Sequence, residues 1–268
     1  MSSPIPSPPS PQSPSSDLSD SPPTLDPSTL ALLNDFITSK TEQENRFHEI
    51  AARVTGLALD DADDAGDEEP IMSVDEYRDA FAEDWQLSQF WYTTAFAMRF
   101  ARTLHALCTP DTAIAFVCCP TAFVAFQHTR PFERARLLDV DERFAVLAPR
   151  HYVHYDMEEP DALPDYMTDG VDIAVVDPPF LSEYTNARVV KTLRRILRRK
   201  AKLIVLTSTS VEPILERLYD APPLGPLKRT KIEVQHGQLR NDFGCWASWE
   251  GAEDFDLEAE EEEEEKKE

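Results

Sequence analysis

The stretch "VDIAVVDPPF", residues 171–180, decides the fold of this chain. Its first six residues, Val171–Val176, are mostly β-branched and include one polar residue, which is typical of a strand buried on both faces of a sheet. The two prolines that follow cannot donate ladder hydrogen bonds, so the strand must end before them. Because ligands bind at the carboxyl ends of strands in open α/β sheets, we predict that Asp177 and Phe180 lie at a ligand-binding edge.

Strand and helix patterns alternate on both sides of this stretch. Four other apolar segments predict strands of a parallel sheet: residues 112–119, 135–140, 150–156 and 201–208. Two last segments, 228–235 and 243–249, predict an antiparallel pair at the sheet edge. Helical patterns lie between the strands, among them residues 184–199. The alternation predicts an α/β fold with a seven-stranded, Rossmann-like sheet and helices on both faces.

Composition divides the chain of 268 residues into four segments. Residues 1–26 form a Ser/Pro-rich tail, and residues 27–73 combine an amphipathic helical segment with an acidic loop. The folded domain is predicted over residues 74–250, and an acidic tail follows over 251–268. Both tails have too few apolar residues to build a core, so we expect them to be disordered.

The net charge of −24 is concentrated in the acidic loop and the acidic tail. This balance disfavours nucleic acid as a partner, because neutralising phosphates requires a basic surface. No run approaches the roughly 20 apolar residues that a membrane helix needs, so we expect a cytoplasmic protein with no membrane contact. The four cysteines form no C-x-x-C pair and the histidines have no metal-ligand spacing, so free thiols and no metal are expected.

Asp177, Pro178, Pro179 and Phe180 are candidates for a catalytic turn. A carboxylate and the carbonyl of the next proline can both accept hydrogen bonds from one amino nitrogen, which orients its lone pair toward an electrophile. The aromatic ring then favours the positive charge that appears on that nitrogen. The alternative is a turn that only ends the strand.

Acidic residues also follow the second and third predicted strands. Asp139 or Asp141 is placed where an acid can hold the ribose hydroxyls of an adenosine cofactor, although Asp141 can instead form a salt bridge with Arg143. Asp156 could accept a hydrogen bond from an adenine amino group, or be an ordinary loop carboxylate. The turn after the first strand, "CCPTAF", has no glycine, which argues against NAD and against a P-loop nucleotide.

A basic segment, "ARVVKTLRRILRRKAK" at residues 187–202, carries eight lysines and arginines. We predict a helix here, with a solvated basic face opposite a buried stripe that includes Val189 and Leu193. The basic face could also bind an acidic partner or the chain's own acidic tail.

Four blocks in this order, "DWQLSQFWYT", "DVDERFAVL", "HYDMEEP" and "DIAVVDPPFLSE", resemble the lysine methyltransferases of translation elongation factor 1-alpha. That group was once described as N6-adenine DNA methyltransferases because of its D-P-P-[YF] motif. The resemblance covers about residues 74–250. It implies a class I methyltransferase fold, S-adenosylmethionine as cofactor, and methylation of a lysine in a protein, namely elongation factor 1-alpha.

The resemblance also implies roles for particular residues. Asp177–Phe180 would form the amine-binding turn, with Phe180 where tyrosine is common in the family. The first of the four blocks, "DWQLSQFWYT" at residues 84–93, is called the upstream block below, and it would line the methionine end of the cofactor. The full set of predicted cofactor contacts is Gln86, Ser88, Gln89, Phe90, Tyr92, Pro120, Asp139, Asp141 and Asp156. The alternative substrate is adenine N6 in DNA or RNA, and a monomer is expected.

Overall fold

The computed structural model describes residues 26–60, 72–239 and 242–257. The predicted Ser/Pro tail, most of the acidic loop and residues 258–268 of the acidic tail lie outside these ranges. Within them, no helix is both long enough and apolar enough to cross a membrane.

Among the described residues, seven strands form one sheet. They are β1 (Ile114–Val117), β2 (Ala135–Asp139), β3 (Tyr152–His154), β4 (Val171–Val176), β5 (Leu197–Ser208), β6 (Lys228–Glu233) and β7 (Phe243–Ala247). Their order across the sheet is β3-β2-β1-β4-β5-β7-β6. β1 to β5 are parallel to one another, whereas β7 is antiparallel to both β5 and β6. The predicted α/β fold of the class I methyltransferases is therefore confirmed, including the antiparallel pair at the edge.

The same described ranges contain seven α-helices. They are α1 (Pro27–Asp60), α2 (Val74–Ala80), α3 (Thr94–Ala106), α4 (Pro120–Thr129), α5 (Arg143–Leu147), α6 (Glu183–Ile196) and α7 (Glu212–Leu218). Their starts follow from local sequence. Ser73 caps α2 in a reciprocal capping box with Glu76, and the Thr93 hydroxyl caps α3. Pro120 begins α4, because its missing N–H costs nothing at the first helical position.

The first part of α1, residues 27–39, belongs to a separate unit of the chain, and its side chains are exposed. From Lys40 onward the helix belongs to the same unit as the sheet. There the Phe47 ring meets the Phe81 ring edge-on, with 5.5 Å between centroids. The described part of the amphipathic segment is therefore one helix.

The helix predicted over residues 184–199 ends three residues early, at Ile196. The chain turns directly into β5, because Leu197 pairs with Val171 of β4 and the Arg198 guanidinium binds the Asp172 carboxylate at 2.6 Å. Strand pairing and an ion pair together outweigh the helical pattern of the basic segment. Half of its cations consequently lie on a strand rather than on a helix face.

The sheet has a buried layer on each face. One layer joins α2, α3 and α4 to the sheet through aromatic rings, among them Tyr77, Phe81 and Phe116. The other packs α6 and α7 on the opposite face through aliphatic residues such as Val189 and Leu193. Residues on both sides of β1 and β4 are buried, so these central strands hold the loops at their carboxyl ends in fixed positions.

The chain packs against the sheet further than the predicted boundary at Gly251. Ala252 is buried, and the Phe255 ring lies edge-on to Trp249 with 5.0 Å between centroids. The Phe255 carbonyl also accepts a hydrogen bond from the Lys231 amide. Three acidic residues, Glu253, Asp254 and Asp256, flank Phe255, which covers the sheet edge. Composition alone therefore places the start of the tail too early.

Candidate active site

Three loops meet at the carboxyl edge of the sheet, after β1, β2 and β4. Val117 pairs with Leu138 of β2 and with Val176 of β4, so the residues that follow are brought side by side. The Cys118 amide donates to the Leu138 carbonyl, and the Asp177 amide donates to the Val117 carbonyl. Cys118, Asp139 and Asp177 are thus positioned by register, and the edge predicted for Asp177 is where it lies.

Asp177 is half-buried and makes one side-chain hydrogen bond to a described residue. Its Oδ2 accepts from the Tyr92 hydroxyl at 2.5 Å. Burial raises the pKa of Asp177 to about 7, although the Tyr92 hydrogen bond works in the opposite direction. Burial also raises the pKa of Tyr92 well above its ordinary value, so this phenol stays a donor. The carboxylate therefore changes protonation near neutral pH.

The upstream block binds directly to the turn after β4. The Ser88 hydroxyl accepts a hydrogen bond from the Phe180 amide at 3.1 Å. Both residues have a positive φ, 57° for Ser88 and 58° for Phe180, a conformation that costs free energy in residues other than glycine. Such strain persists only where the surrounding structure enforces it. Phe180 itself is 44% exposed.

The turn after β1 has no glycine, and it too contains a residue other than glycine with a positive φ. Cys118 has φ of 56°, the left-handed conformation that glycine usually supplies at such a turn. Cys119 follows as the N-cap of α4, and its thiol is buried against the Val175 carbonyl at 3.3 Å. Burial raises the pKa of both thiols, so they stay protonated. The four cysteines are all free.

The two acids after β2 have different surroundings. The Asp141 carboxylate accepts hydrogen bonds from the Arg143 guanidinium at 2.6 Å and from the side-chain amide of Gln89 at 3.1 Å. Burial works to raise the pKa of Asp141, but these hydrogen bonds outweigh it and lower the pKa. Asp139 is 5% exposed and makes no ion pair with any described residue, and burial raises its pKa to about 7. The salt bridge considered for Asp141 therefore exists, whereas the Asp139 carboxylate accepts a hydrogen bond from the Asp141 backbone N–H at 3.0 Å and has no cationic partner among the described residues.

Two clefts open at this edge of the sheet. The first cleft runs between the upstream block and the turns after β1, β2 and β4. Its lining is Leu87, Ser88, Gln89, Phe90, Trp91, Tyr92, Cys118, Cys119, Pro120, Thr121, Asp139, Val140, Asp177 and Pro179. The second cleft lies on the other side of the turn after β4. Its lining is Ser88, Phe90, Asp177, Pro178, Phe180, Leu181, His236, Leu239 and Phe243. Asp177 belongs to both linings and so stands in the wall between the clefts.

Most of the predicted site residues meet in these clefts, but three do not contact them in the expected way. Gln86 is exposed and outside both linings, and its backbone N–H donates to the Asp84 carboxylate at 2.8 Å. Asp156 caps the turn that follows it, accepting from the Glu158 amide at 2.8 Å, and lies in a neighbouring depression. Asp141 lies behind the first cleft and binds Arg143. Local turn and ion-pair contacts, which residue type alone does not reveal, occupy the carboxylates of Asp156 and Asp141.

His236 and Phe243 are residues that the sequence pattern missed. The His236 ring packs against the Tyr92 ring at 5.0 Å and the Phe243 ring at 4.5 Å between centroids. Burial lowers the pKa of His236 to about 4, so it is neutral at physiological pH. Its sole sequence signal is a position between the two closing strands, which the structure folds back over the upstream block.

The first cleft fits an adenosine cofactor such as S-adenosylmethionine. A buried carboxylate without a cationic partner is costly, and a vicinal diol can satisfy it by donating two hydrogen bonds. Asp139 is such a carboxylate, at the end of the second parallel strand where ribose hydroxyls are held in this class of sheet. Among the described residues no group of three potential metal ligands is present.

Comparison with known proteins agrees with this geometry. Residues 83–251, more than half of the chain, match the family model described as probable N6-adenine methyltransferase. The protein-lysine N-methyltransferase CG9154 of Drosophila melanogaster is 31% identical, over 84% of this chain and 94% of its own length. Protein-lysine N-methyltransferase EFM5 of Saccharomyces cerevisiae is 28% identical, over 85% and 92%. EEF1A lysine methyltransferase 1 of Bos taurus is 30% identical, over 65% and 75%.

The family match includes the upstream block, the acids after β2 and the turn after β4, which are the residues that build the two clefts. The resemblance predicted from the motifs is thereby confirmed, and so is the cofactor that this family uses. The chain belongs to this family of S-adenosylmethionine-dependent methyltransferases, which includes the protein-lysine N-methyltransferases named above.

Proposed function

We propose that this chain transfers a methyl group from S-adenosylmethionine to the ε-amine of a lysine in translation elongation factor 1-alpha. The observation that carries the proposal is the position of Asp177 between the two clefts. A transferase needs a group that can hold the acceptor amine while facing the donor. The names of the yeast and bovine relatives support a protein lysine as acceptor, and the bovine name supports the elongation factor.

On the donor side, Asp139 is proposed to hold the ribose hydroxyls. Ser88, Gln89 and Tyr92 would border the methionine end, as the resemblance implies, and Pro120 would border the cofactor from the start of α4. When bound, S-adenosylmethionine supplies an electrophilic methyl group on a positively charged sulfur. Phe90 lines both clefts and so could contact either ligand.

On the acceptor side, the second cleft suits the side chain of a lysine. Phe90, Phe180 and Phe243 provide apolar walls for its four methylene groups. The Asp177 carboxylate and the Pro178 carbonyl are proposed to accept hydrogen bonds from the ε-nitrogen, with Pro179 fixing the turn. The exposed face of Phe180 would stabilise the positive charge that develops there.

The acceptor must lose a proton before it can attack. An apolar, partly dry cleft lowers the pKa of a lysine ammonium, because burial disfavours the charged form. The Asp177 carboxyl, with a pKa of about 7, can carry a negative charge at the pH where the amine is needed. His236 stays neutral, so it adds no repulsion toward an incoming ammonium group.

The residue limits of the enzyme and its setting are part of the proposal. We assign catalysis to residues 74–250 and a cytoplasmic location, because translation factors act there. We also propose that it works as a monomer.

The test is incorporation of labelled methyl groups from S-adenosylmethionine by the purified full chain. Elongation factor 1-alpha, total cell protein, total DNA and total RNA are offered separately. We expect label in a lysine of the elongation factor and none above background in nucleic acid. Asp177→Ala should lower the rate about a hundredfold or more, because it removes a charge-assisted hydrogen bond and misorients the amine. Asp165→Ala, an exposed acid away from both clefts, is the matched control.

Two results would contradict the proposal. Label in adenine, with an unmodified elongation factor, would establish the alternative substrate that the family description names. Label in other cellular proteins alone would keep lysine methylation but replace the target.

A further inference from the structure

A basic groove lies at the opposite edge of the sheet from the two clefts. It opens beside the amino ends of β1 and β4, where Ile173 pairs with Lys202 of β5. Arg198, Lys200 and Lys202 contribute cations to its lining, and Asp111 and Asp172 contribute acids. These cations are the part of the basic segment that lies on β5 rather than on α6.

The charges of this basic groove are only partly compensated. Arg198 is neutralised by Asp172 at 2.6 Å. The Lys202 ammonium lies over the Trp249 ring, 5.4 Å from its centroid. Lys200 is exposed and, among the described residues, has no carboxylate within ion-pair distance, and the same holds for its neighbour Arg199. The rim of the groove therefore presents unpaired positive charge to solvent.

The described chain ends close to this basic groove. Trp249, which contacts Lys202, also packs edge-on against Phe255 at 5.0 Å between centroids. Leu257 follows two residues later. The next eleven residues, 258–268, contain eight glutamates and two lysines. A dense run of negative charge is thus tethered beside unpaired cations.

We propose that residues 258–268, the glutamate segment, bind in the basic groove of the same chain. Eleven residues can span up to about 36–40 Å, more than enough from an anchor beside Lys202. Tethering gives the segment an effective concentration of about 1 mM or more, so even weak ion pairs suffice. The other nearby lysines, Lys228 and Lys231, already pair with Glu253 and Asp254.

The bound glutamate segment gives the basic groove a function. It occupies the cations that would otherwise attract nucleic acid or another polyanion to this face of the molecule. It does so far from Asp177, so the chemistry at the two clefts does not depend on it. The proposal therefore stands apart from the proposed function.

The direct test is carbodiimide cross-linking of the full chain, which joins a lysine to a carboxylate only when they touch. We expect links from Lys200 or Lys202 to glutamates in 258–268, within one chain in a mixture of light and heavy isotope-labelled protein. The links should fall at least fivefold at about 0.5 M salt, where screening shortens the range of charge interactions to a few ångströms. Links only between chains, or equally to Lys191 on α6, would overturn the proposal.

A pair of variants tests the same contact without relying on cross-linking. Changing Glu260 to Gln and likewise each glutamate through 265 should increase binding of the full chain to heparin at least tenfold. Adding Lys200→Glu to that variant should abolish the gain, whereas adding Lys191→Glu should leave most of it. An unchanged heparin affinity after the glutamine changes would show that the glutamate segment does not cover the groove.

Discussion

The hydrogen bond from Tyr92 to Asp177 should control the pH at which the enzyme works. Tyr92→Phe removes one hydroxyl and keeps the ring that packs on His236 and Phe96. The lost bond, 2.5 Å long, favours the ionised form of the carboxylate. A hydrogen bond to a charged group is worth about 1.5–3 kcal/mol, and 1.36 kcal/mol corresponds to about one pKa unit. The pKa of Asp177 should therefore rise by about one to two units above about 7.

The sign of the effect follows from which form is active. If the ionised Asp177 carboxylate orients the amine, about half of the wild-type enzyme is in the active form at pH 7, because the pKa of Asp177 is about 7. With the shift above, the ionised fraction at pH 7 falls roughly 5- to 50-fold, and at pH 9 the difference shrinks to about twofold or less. We expect kcat/KM for methyl transfer to follow these ratios.

The assay is the ratio of kcat/KM between Tyr92→Phe and wild type from pH 6.5 to pH 9.5, which cancels the titration of the substrate lysine. Tyr219→Phe is the matched control, since it removes another buried hydroxyl, bonded to Asn186 away from the clefts. A loss that is the same at every pH would refute the reasoning, because it would mean that Tyr92 does not act through the pKa of Asp177. No loss at all would remove Tyr92 from the site.

Three further predictions concern stability and cofactor binding. Asp177→Asn should raise the free energy of unfolding at pH 8 by about 2 kcal/mol and change it little at pH 4. The reason is that the folded pKa of Asp177, about 7, lies above its usual value of 3.8. The contribution of the Asp177 carboxyl to stability is therefore present at low pH and is lost as the pH rises through 7. Denaturant unfolding at both pH values measures this, and a destabilised variant at pH 8 would contradict it. Cys118→Gly should be more stable than Cys118→Ala by about 1 kcal/mol, because φ is positive at residue 118. At Cys119, where φ is −133°, alanine should be the better replacement. The same order of stability at both positions would rule out backbone strain at Cys118. Asp139→Asn should weaken calorimetric binding of S-adenosylmethionine at least tenfold, and Asp141→Asn should mainly lower the thermal midpoint by breaking the pair with Arg143; a reversed pattern would assign the ribose to Asp141.

The sequence by itself determined the sheet and the position of the turn after β4. Val171–Val176 is apolar, β-branched and followed by two prolines, so both its burial and its end are encoded locally. The same holds for the caps of α2 and α3, where Ser73 and Thr93 bond within three residues. Such contacts between near neighbours need no partner from a distant part of the chain, which is why a pattern predicts them.

Tertiary structure decided how the basic segment is divided between a helix and a strand. It also decided which of Asp139 and Asp141 makes an ion pair. The helical pattern of residues 184–199 yields at Leu197 to pairing with β4, a partner 26 residues away. Asp139 and Asp141 are chemically alike in sequence. Arg143 and Gln89 bind one of them, and Gln89 comes from a loop 52 residues away.

Tertiary structure also determined what the turn after β4 can do. Ser88 holds Phe180 and Tyr92 holds Asp177 across 92 and 85 residues of chain, and His236 and Phe243 close the second cleft from the last two strands. The pKa of Asp177 depends on burial by these distant segments, and burial is a property of the packed chain rather than of the motif. The sequence therefore specifies the carboxylate, and only folding specifies its charge and the two clefts that it separates.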